Sequence, residues 1–137
     1  MVIWSYGYQD KTAPGEELRR LVILNGIETV VDVRRLGSSR RVEWNGLAVR
    51  EALAGACEYQ GIPALGNREN MDPGHGKAWQ PLHQGKADEA LAALVQRVRE
   101  GERICLLCME PEPMRCHRWE IARRVRAETG CEVRHLR

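Results

Sequence analysis

The spacing of apolar positions changes repeatedly along the chain and divides it into short elements. Met1 to Tyr6 is an apolar run that ends at Gly7 and predicts a first strand. From Pro14 the apolar residues Leu18, Leu21 and Val22 recur at helical spacing, and Asn25-Gly26 supplies a left-handed stop. Thr29 to Val33 is β-branched and predicts a second strand ending in Asp32-Val33-Arg34. Asn45 is placed to cap a helix carrying Leu47, Leu53 and Ala56 and stopping at Gly61, and Ile62 to Leu65 then predicts a third strand. Leu91, Leu94, Val95 and Val98 fall on one face of a third helix that stops near Gly101. The run Arg103 to Met109 follows as a strand apolar enough to be central, then a helix from Cys116 to Thr129, then a strand over Glu132 to Leu136.

Five strands alternating with four helices predict one three-layer α/β domain: a mostly parallel five-stranded sheet with helices on both faces and right-handed crossovers. A chain of 137 residues is the size for one such core. Ligands in sheets of this kind bind beyond the carboxyl ends of the strands. Three connections at those ends stand out, those after the second, third and fourth strands. The stretch from Gly66 to Gly85 has no period and is long for a simple link, which favours a binding loop or lid.

Composition sharpens this picture in three ways. The core is aliphatic, because there is no Phe and only four Trp and three Tyr. Five cysteines are an odd number for a disulfide framework, and Cys105 and Cys108 sit in the buried strand, so a reducing compartment fits. The amino terminus lacks a basic region followed by an apolar stretch, and no segment has the roughly 18 apolar residues of a membrane span. A cytoplasmic location without membrane association is therefore expected; oligomeric state leaves no signature. The net charge is only +2, but Arg far outnumbers the three Lys, and where the Arg residues cluster matters more than their number.

One cluster is Arg34-Arg35-Leu36-Gly37-Ser38-Ser39-Arg40-Arg41, which holds four Arg and no acid, with Gly and Ser to turn backbone amides inward. That composition suits a phosphate or another anion, and Asp32 is placed to orient Arg34 or to act as a base. The other cluster is the segment from Cys108 to Arg118. Glu110 follows Cys108 by two residues, two prolines shape the connection, and Cys116-His117-Arg118 opens a helix. A thiol in a first helical turn beside cations is favoured as thiolate, which makes Cys116 a candidate nucleophile, with Cys108 as a second nucleophile or a resolving partner. A zinc site built from Cys108, Cys116 and His117 with His75 or His83 is disfavoured, because there is no Cys-x-x-Cys pair and neighbours on a helix point roughly 100° apart. No metal or cofactor is expected. Trp44, Trp79 and Trp119 fall near the three loops, where a base could stack on them.

The ordered set Ser5-Tyr6-Gly7-Tyr8, Val31-Asp32-Val33-Arg34 with Ser39-Arg40, Gly61-Ile62-Pro63-Ala64-Leu65-Gly66, and Leu106-Leu107-Cys108-Met109-Glu110 with Cys116-His117-Arg118 resembles the DUF488 family of uncharacterised prokaryotic proteins over nearly the whole chain. The resemblance implies the structural unit and names no reaction. Ser5-Tyr6-Gly7-Tyr8 stands where a Thr-Ile-Gly-His-Ser-like stretch is usual in that family, and Leu65-Gly66-Asn67 where Leu-Gly-Gly is usual. Tyr6, Gly7, Gly66 and Asn67, in these first and third loops, join Arg34, Ser39 and Arg40 as candidate substrate- or anion-binding residues. The layout is also similar to a rhodanese. There a Cys-x5-Arg cradle is expected, whereas Cys108 to Arg115 is one residue longer and contains Glu110 and Glu112, which repel a dianion.

These observations lead to an enzyme acting on a nucleotide or nucleic acid. The Arg loop holds phosphate, aromatic residues hold the base, and Cys108, Glu110, Cys116, His117, Arg118 and Asp32 supply the chemistry. Glu110 serves as general acid or base, and Glu110 and Cys116 are the residues to test first. A thiol-dependent sulfurtransferase or redox protein and a non-catalytic nucleic-acid-binding module are the alternatives.

Overall fold

The computed structural model describes residues 1–8, 15–36, 42–67, 79–108 and 117–136. In chain order the elements are β1 (Val2–Gly7), α1 (Glu16–Asn25), β2 (Thr29–Asp32), a 3-10 turn (Val42–Trp44), α2 (Gly46–Leu53), β3 (Glu58–Gly61), a second 3-10 turn (Pro63–Leu65), α3 (Gln84–Arg99), β4 (Ile104–Cys108), α4 (His117–Thr129) and β5 (Glu132–Leu136). The strands form one sheet in the order β3-β2-β4-β1-β5, and every pairing is parallel. The expected α/β sandwich is the observed architecture. No helix among the described residues is long and apolar enough to cross a membrane.

Side-chain alternation along the central strands sorts the core into two layers. Ile104, Leu106 and Cys108 of β4 point to the side of α3 and α4, where they meet Ile3, Val31, Leu94, Val98, Ile121 and Val125. Cys105 and Leu107 point the other way, to α1 and α2, with Trp4, Tyr6, Tyr8, Leu18, Val30, Trp44 and Leu53. All five residues of β4 are buried, as befits a strand covered on both faces.

One strand departs from the expected position. The third strand is Glu58–Gly61, not Ile62 to Leu65, and Pro63–Leu65 is a 3-10 turn. Helix α2 correspondingly ends at Leu53, well before Gly61, because Gly55 takes a left-handed conformation (φ 81°) and turns the chain. Strand β3 lies at the sheet edge and is mostly exposed, so Glu58-Tyr59-Gln60 carries no apolar signal. Leu47, expected on the core face of α2, is 73% exposed.

The topology prepares a crevice. The chain leaving β2 continues to α2 on one face, whereas the chain leaving its neighbour β4 continues to α4 on the other. Between β2 and β4 the backbone therefore parts, at the end of the sheet where α/β proteins bind ligands. Gly66 brings the connection after β3 against the connection after β2. Its own backbone is extended, at φ −77° and ψ 164°, so space alone demands glycine. A Cβ there would lie 2.4 Å from Arg35 Cα and 2.5 Å from Arg35 N. Gly66→Ala is expected to cost about 1–3 kcal/mol through this overpacking, read as a lowered urea midpoint. An unchanged midpoint would show that the two connections part freely.

Candidate functional site

Asp32 ends β2 with its carboxylate fully buried. Such a charge must be paired and hydrogen-bonded, and the surrounding chain does both. The Arg34 guanidinium donates from Nε to Oδ1 at 2.8 Å and from Nη2 to Oδ2 at 2.6 Å. The Arg34 backbone N–H donates to Oδ1 at 3.0 Å, and the Tyr59 hydroxyl of β3 donates to Oδ2. Nη1 of Arg34 donates to the Trp44 carbonyl at 2.7 Å and to the Tyr8 hydroxyl at 3.2 Å. Tyr8 in turn stacks on Trp44 with ring centroids 4.7 Å apart. Most of the Arg34 fork is thus engaged inside the protein. Burial opposes the Arg34 charge, but the hydrogen bond and charge of Asp32 outweigh it and hold the guanidinium protonated above its ordinary range. Burial, followed by the bond to Asp32, pushes the Tyr59 hydroxyl up.

Across the sheet from that network, at the end of β4, Cys108 Sγ lies 3.8 Å from His117 Nδ1. His117 is the first residue of α4, and its Nε2 lies 2.8 Å from the Val33 carbonyl oxygen. A carbonyl only accepts, so Nε2 carries the proton, and in the neutral ring Nδ1 is the bare nitrogen that faces the thiol. Cys108 and His117 are 7% and 6% exposed, at the brim of the core and not deep within it. Cys105 differs: burial pushes its thiol up to about 12. Burial also raises the thiol of Cys57.

Arg118, the next residue, is fully buried and donates from Nε to Ser5 Oγ at 3.2 Å. The Ser5 hydroxyl also bonds His135 Nδ1 on β5. Arg118 therefore ties the start of α4 to β1 and β5. Tyr6 is buried among the residues facing α1 and α2, with its ring 6.3 Å from Trp44. Gly7 pairs with Cys108 in the sheet. Asn67 Oδ1 accepts from the Gln80 backbone N–H at 2.9 Å, which joins the two ends of the long connection. His83 caps α3 by accepting from the Lys86 N–H.

Of the described candidate residues, Asp32 with Arg34 stands on one face of the sheet and Cys108 with His117 on the other. Ser39, Arg40, Glu110 and Cys116 lie outside the described residues, as does His75. Trp44 and Trp79, expected as stacking platforms, are core residues here, and Trp79 lies under Arg124 at 5.1 Å. Sequence reasoning did not single out Tyr59, Val33 or Ser5 for the site. Tyr59 is a polar-ended aromatic on an edge strand, and the role of Val33 belongs to its backbone, so neither has a sequence signal.

A groove of about 670 Å3 adjoins the Asp32 network, lined by Arg34, the first turn of α2, Arg50, the acidic Glu51, Tyr59 and Gly61. The Arg50 guanidinium sits 5.5 Å over the Tyr59 ring. No group of three or more His, Cys, Asp or Glu among the described residues is placed to hold a metal ion.

A family model described as Domain of unknown function DUF488 matches residues 15–125. The chain belongs to this family. The match runs from the start of α1 into α4, so it takes in β2, β4 and both sites at their ends. No curated protein and no solved structure matches this DUF488 chain.

The raised Cys105 and Tyr59 values carry a sign for stability. Each group keeps its proton in the folded protein at a pH where the unfolded chain has lost it. The stabilisation they provide is complete below the ordinary thiol and phenol values, about 8.5 and 10, and is lost as pH rises through the folded ones. Urea midpoints are expected to fall above about pH 9, the thiol acting first. Tyr59→Phe should make the fall above about pH 10 shallower. Parallel curves for the two proteins above that pH would remove Tyr59 from this account.

Proposed function

We propose that this DUF488 protein is a thiol-dependent enzyme in which Cys108 is the nucleophile and His117 its base. The observation that carries the reading is the His117 ring, with Nε2 held by the Val33 carbonyl at 2.8 Å and Nδ1 turned to Cys108 Sγ at 3.8 Å. Nucleophile, base and a third group that orients the base are the parts of covalent catalysis by a thiol. The Sγ to Nδ1 distance is long for a hydrogen bond, as such contacts often are before substrate is bound.

In the step this geometry supports, the Cys108 proton moves to His117 Nδ1 and the sulfur electron pair attacks an electrophilic centre of the substrate. The leaving group departs with its bonding pair and takes the proton back from Nδ1. A covalent adduct on Cys108 remains, and water or a second acceptor releases it, with His117 again accepting a proton. Cys116, directly before His117 in the chain, is proposed as a second thiol able to resolve such an adduct.

Alkylation by iodoacetamide, mapped by mass spectrometry in a Cys116→Ser background, tests this. Cys108 is expected to react at pH 7 about tenfold faster than free cysteine, with His117→Ala lowering the rate by about tenfold or more. Equal rates for Cys108 and free cysteine, or indifference to His117→Ala, would overturn the reading.

A second reading, an anionic substrate of the nucleotide or nucleic-acid class, is favoured by the groove beside Arg34. Arg50 supplies a cation there, set over the Tyr59 ring and next to Glu51 in the chain. Binding of fluorescent mononucleotides and oligonucleotides across a salt series is expected to weaken as salt rises and to fall at least about fivefold in Arg50→Ala. No binding at low salt would discard this substrate class and leave the thiol reading standing.

A further inference from the structure

The two sites on opposite faces of the sheet share one peptide group. Val33 lies between Asp32 and Arg34, and the bond joining Val33 to Arg34 carries the Val33 carbonyl and the Arg34 N–H. Among the described residues there are no cis peptides, and in a trans peptide the C=O and the N–H point in opposite directions. Here the N–H donates to Asp32 Oδ1 at 3.0 Å on the α1/α2 side, and the C=O accepts from His117 Nε2 at 2.8 Å on the α3/α4 side.

We infer that Asp32 is a positioning residue for His117, acting across the sheet through the Val33–Arg34 peptide, so that carboxylate, peptide, imidazole and thiol form one chain. The inference rests on the thiol reading for its purpose, though its geometry does not depend on Cys108 being reactive. A carboxylate on the N–H draws density toward the carbonyl oxygen, and hydrogen bonds in series strengthen one another by about 10–30% each. The better acceptor holds His117 in the Nε2–H tautomer and stabilises the imidazolium formed when Nδ1 takes the thiol proton. The Val33 N–H donates to Leu107 O at 3.0 Å, beside Cys108, so both ends of the chain are referred to the same pair of strands.

The groups set around His117 agree with this. Cys108 faces it from β4, and the Asp32–Arg34 pair stands behind the peptide at the end of β2. On its own helix, Arg118 is turned to Ser5 and Glu120 is held by Arg123 and Arg124. Asp32 also neutralises Arg34, so a purely structural role is the competing explanation. It predicts a loss of stability without an effect on the imidazole.

Asp32→Asn tests the distinction, because the amide oxygen still accepts the Arg34 N–H while the charge is gone. The His117 ring nitrogens are followed by NMR against pH, together with the Cys108 alkylation profile. In Asp32→Asn the His117 midpoint is expected to move to lower pH and Cys108 alkylation at pH 7 to slow by about twofold to tenfold. Leu53→Ala, a core variant on the Asp32 side of the sheet, should lower stability and leave the ring at its wild-type midpoint. Should Asp32→Asn fail to fold, the wild-type protein decides. The Arg34 amide proton is expected to shift with the His117 midpoint, because protonating Nδ1 strengthens the bond to the shared peptide. An Arg34 amide that ignores the His117 titration, or a folded Asp32→Asn protein with a wild-type His117 midpoint, overturns the inference. If Cys108 alone proves unreactive while the ring and the amide behave as stated, the thiol reading falls and the coupling stands.

Discussion

A carboxylate with no access to water sits at the end of β2, and much of the local architecture is what satisfying it requires. Leaving such a charge unpaired would cost on the order of several kcal/mol, a large share of the stability of a domain this size. Arg34 cancels the charge, but a guanidinium buried to 8% exposure has donors of its own to satisfy. The Trp44 carbonyl and the Tyr8 hydroxyl take two of them. The 3-10 turn after β2 is held down by that carbonyl, and the end of β1 by that hydroxyl. Tyr59 reaches Asp32 from β3, which gives an otherwise polar edge strand a fixed place beside β2. One buried acid thus ties together β1, β2, β3 and the turn before α2.

Most of the fold could be read from the spacing of apolar residues, and the one displaced strand shows where that method stops. Strand β4 and helix α3 bury their apolar positions, so period and burial coincide. Strand β5 is an edge strand too, yet Gly130 before it and the alternation of Val133 among polar neighbours mark it. Strand β3 has neither mark. Its residues pair through the backbone with Thr29 to Asp32 and present polar side chains outward. The apolar Ile62 to Leu65 run beside it is apolar because it covers the core from a turn. Hydrophobicity reported where the chain is buried, and only by correlation where it is extended.

The candidate site was legible in its residue types and illegible in its partition. Asp32, Arg34, Cys108 and His117 are all at the carboxyl ends of β2 and β4, as their positions in sequence imply. Whether they face one another depends on strand parity and on register. Asp32 is paired with Leu107, one residue before Cys108, so the two side chains leave the sheet on opposite faces. A register shifted by one residue would have put carboxylate and thiol on the same side. The Arg residues divide for a similar reason. Arg34 reads as an anion ligand and Arg118 as part of the chemistry because of their type, yet both are buried and committed to partners within the protein.

Those two buried guanidiniums hold the chain on either face of the sheet. Arg34 fixes the end of β2 from one face. Arg118 fixes the start of α4 from the other, through Ser5 in β1 and His135 in β5. Between them, the Val33 carbonyl and the His117 ring meet at 2.8 Å. A catalytic imidazole gains from being held within a fraction of an ångström of its working position by supports that do not themselves react. Both guanidiniums are held by partners within the protein, so the supports stay set around the Cys108 and His117 pair. The division of labour follows from position: the buried Asp32, Arg34 and Arg118 build the frame, and Cys108 and His117 are left at its brim.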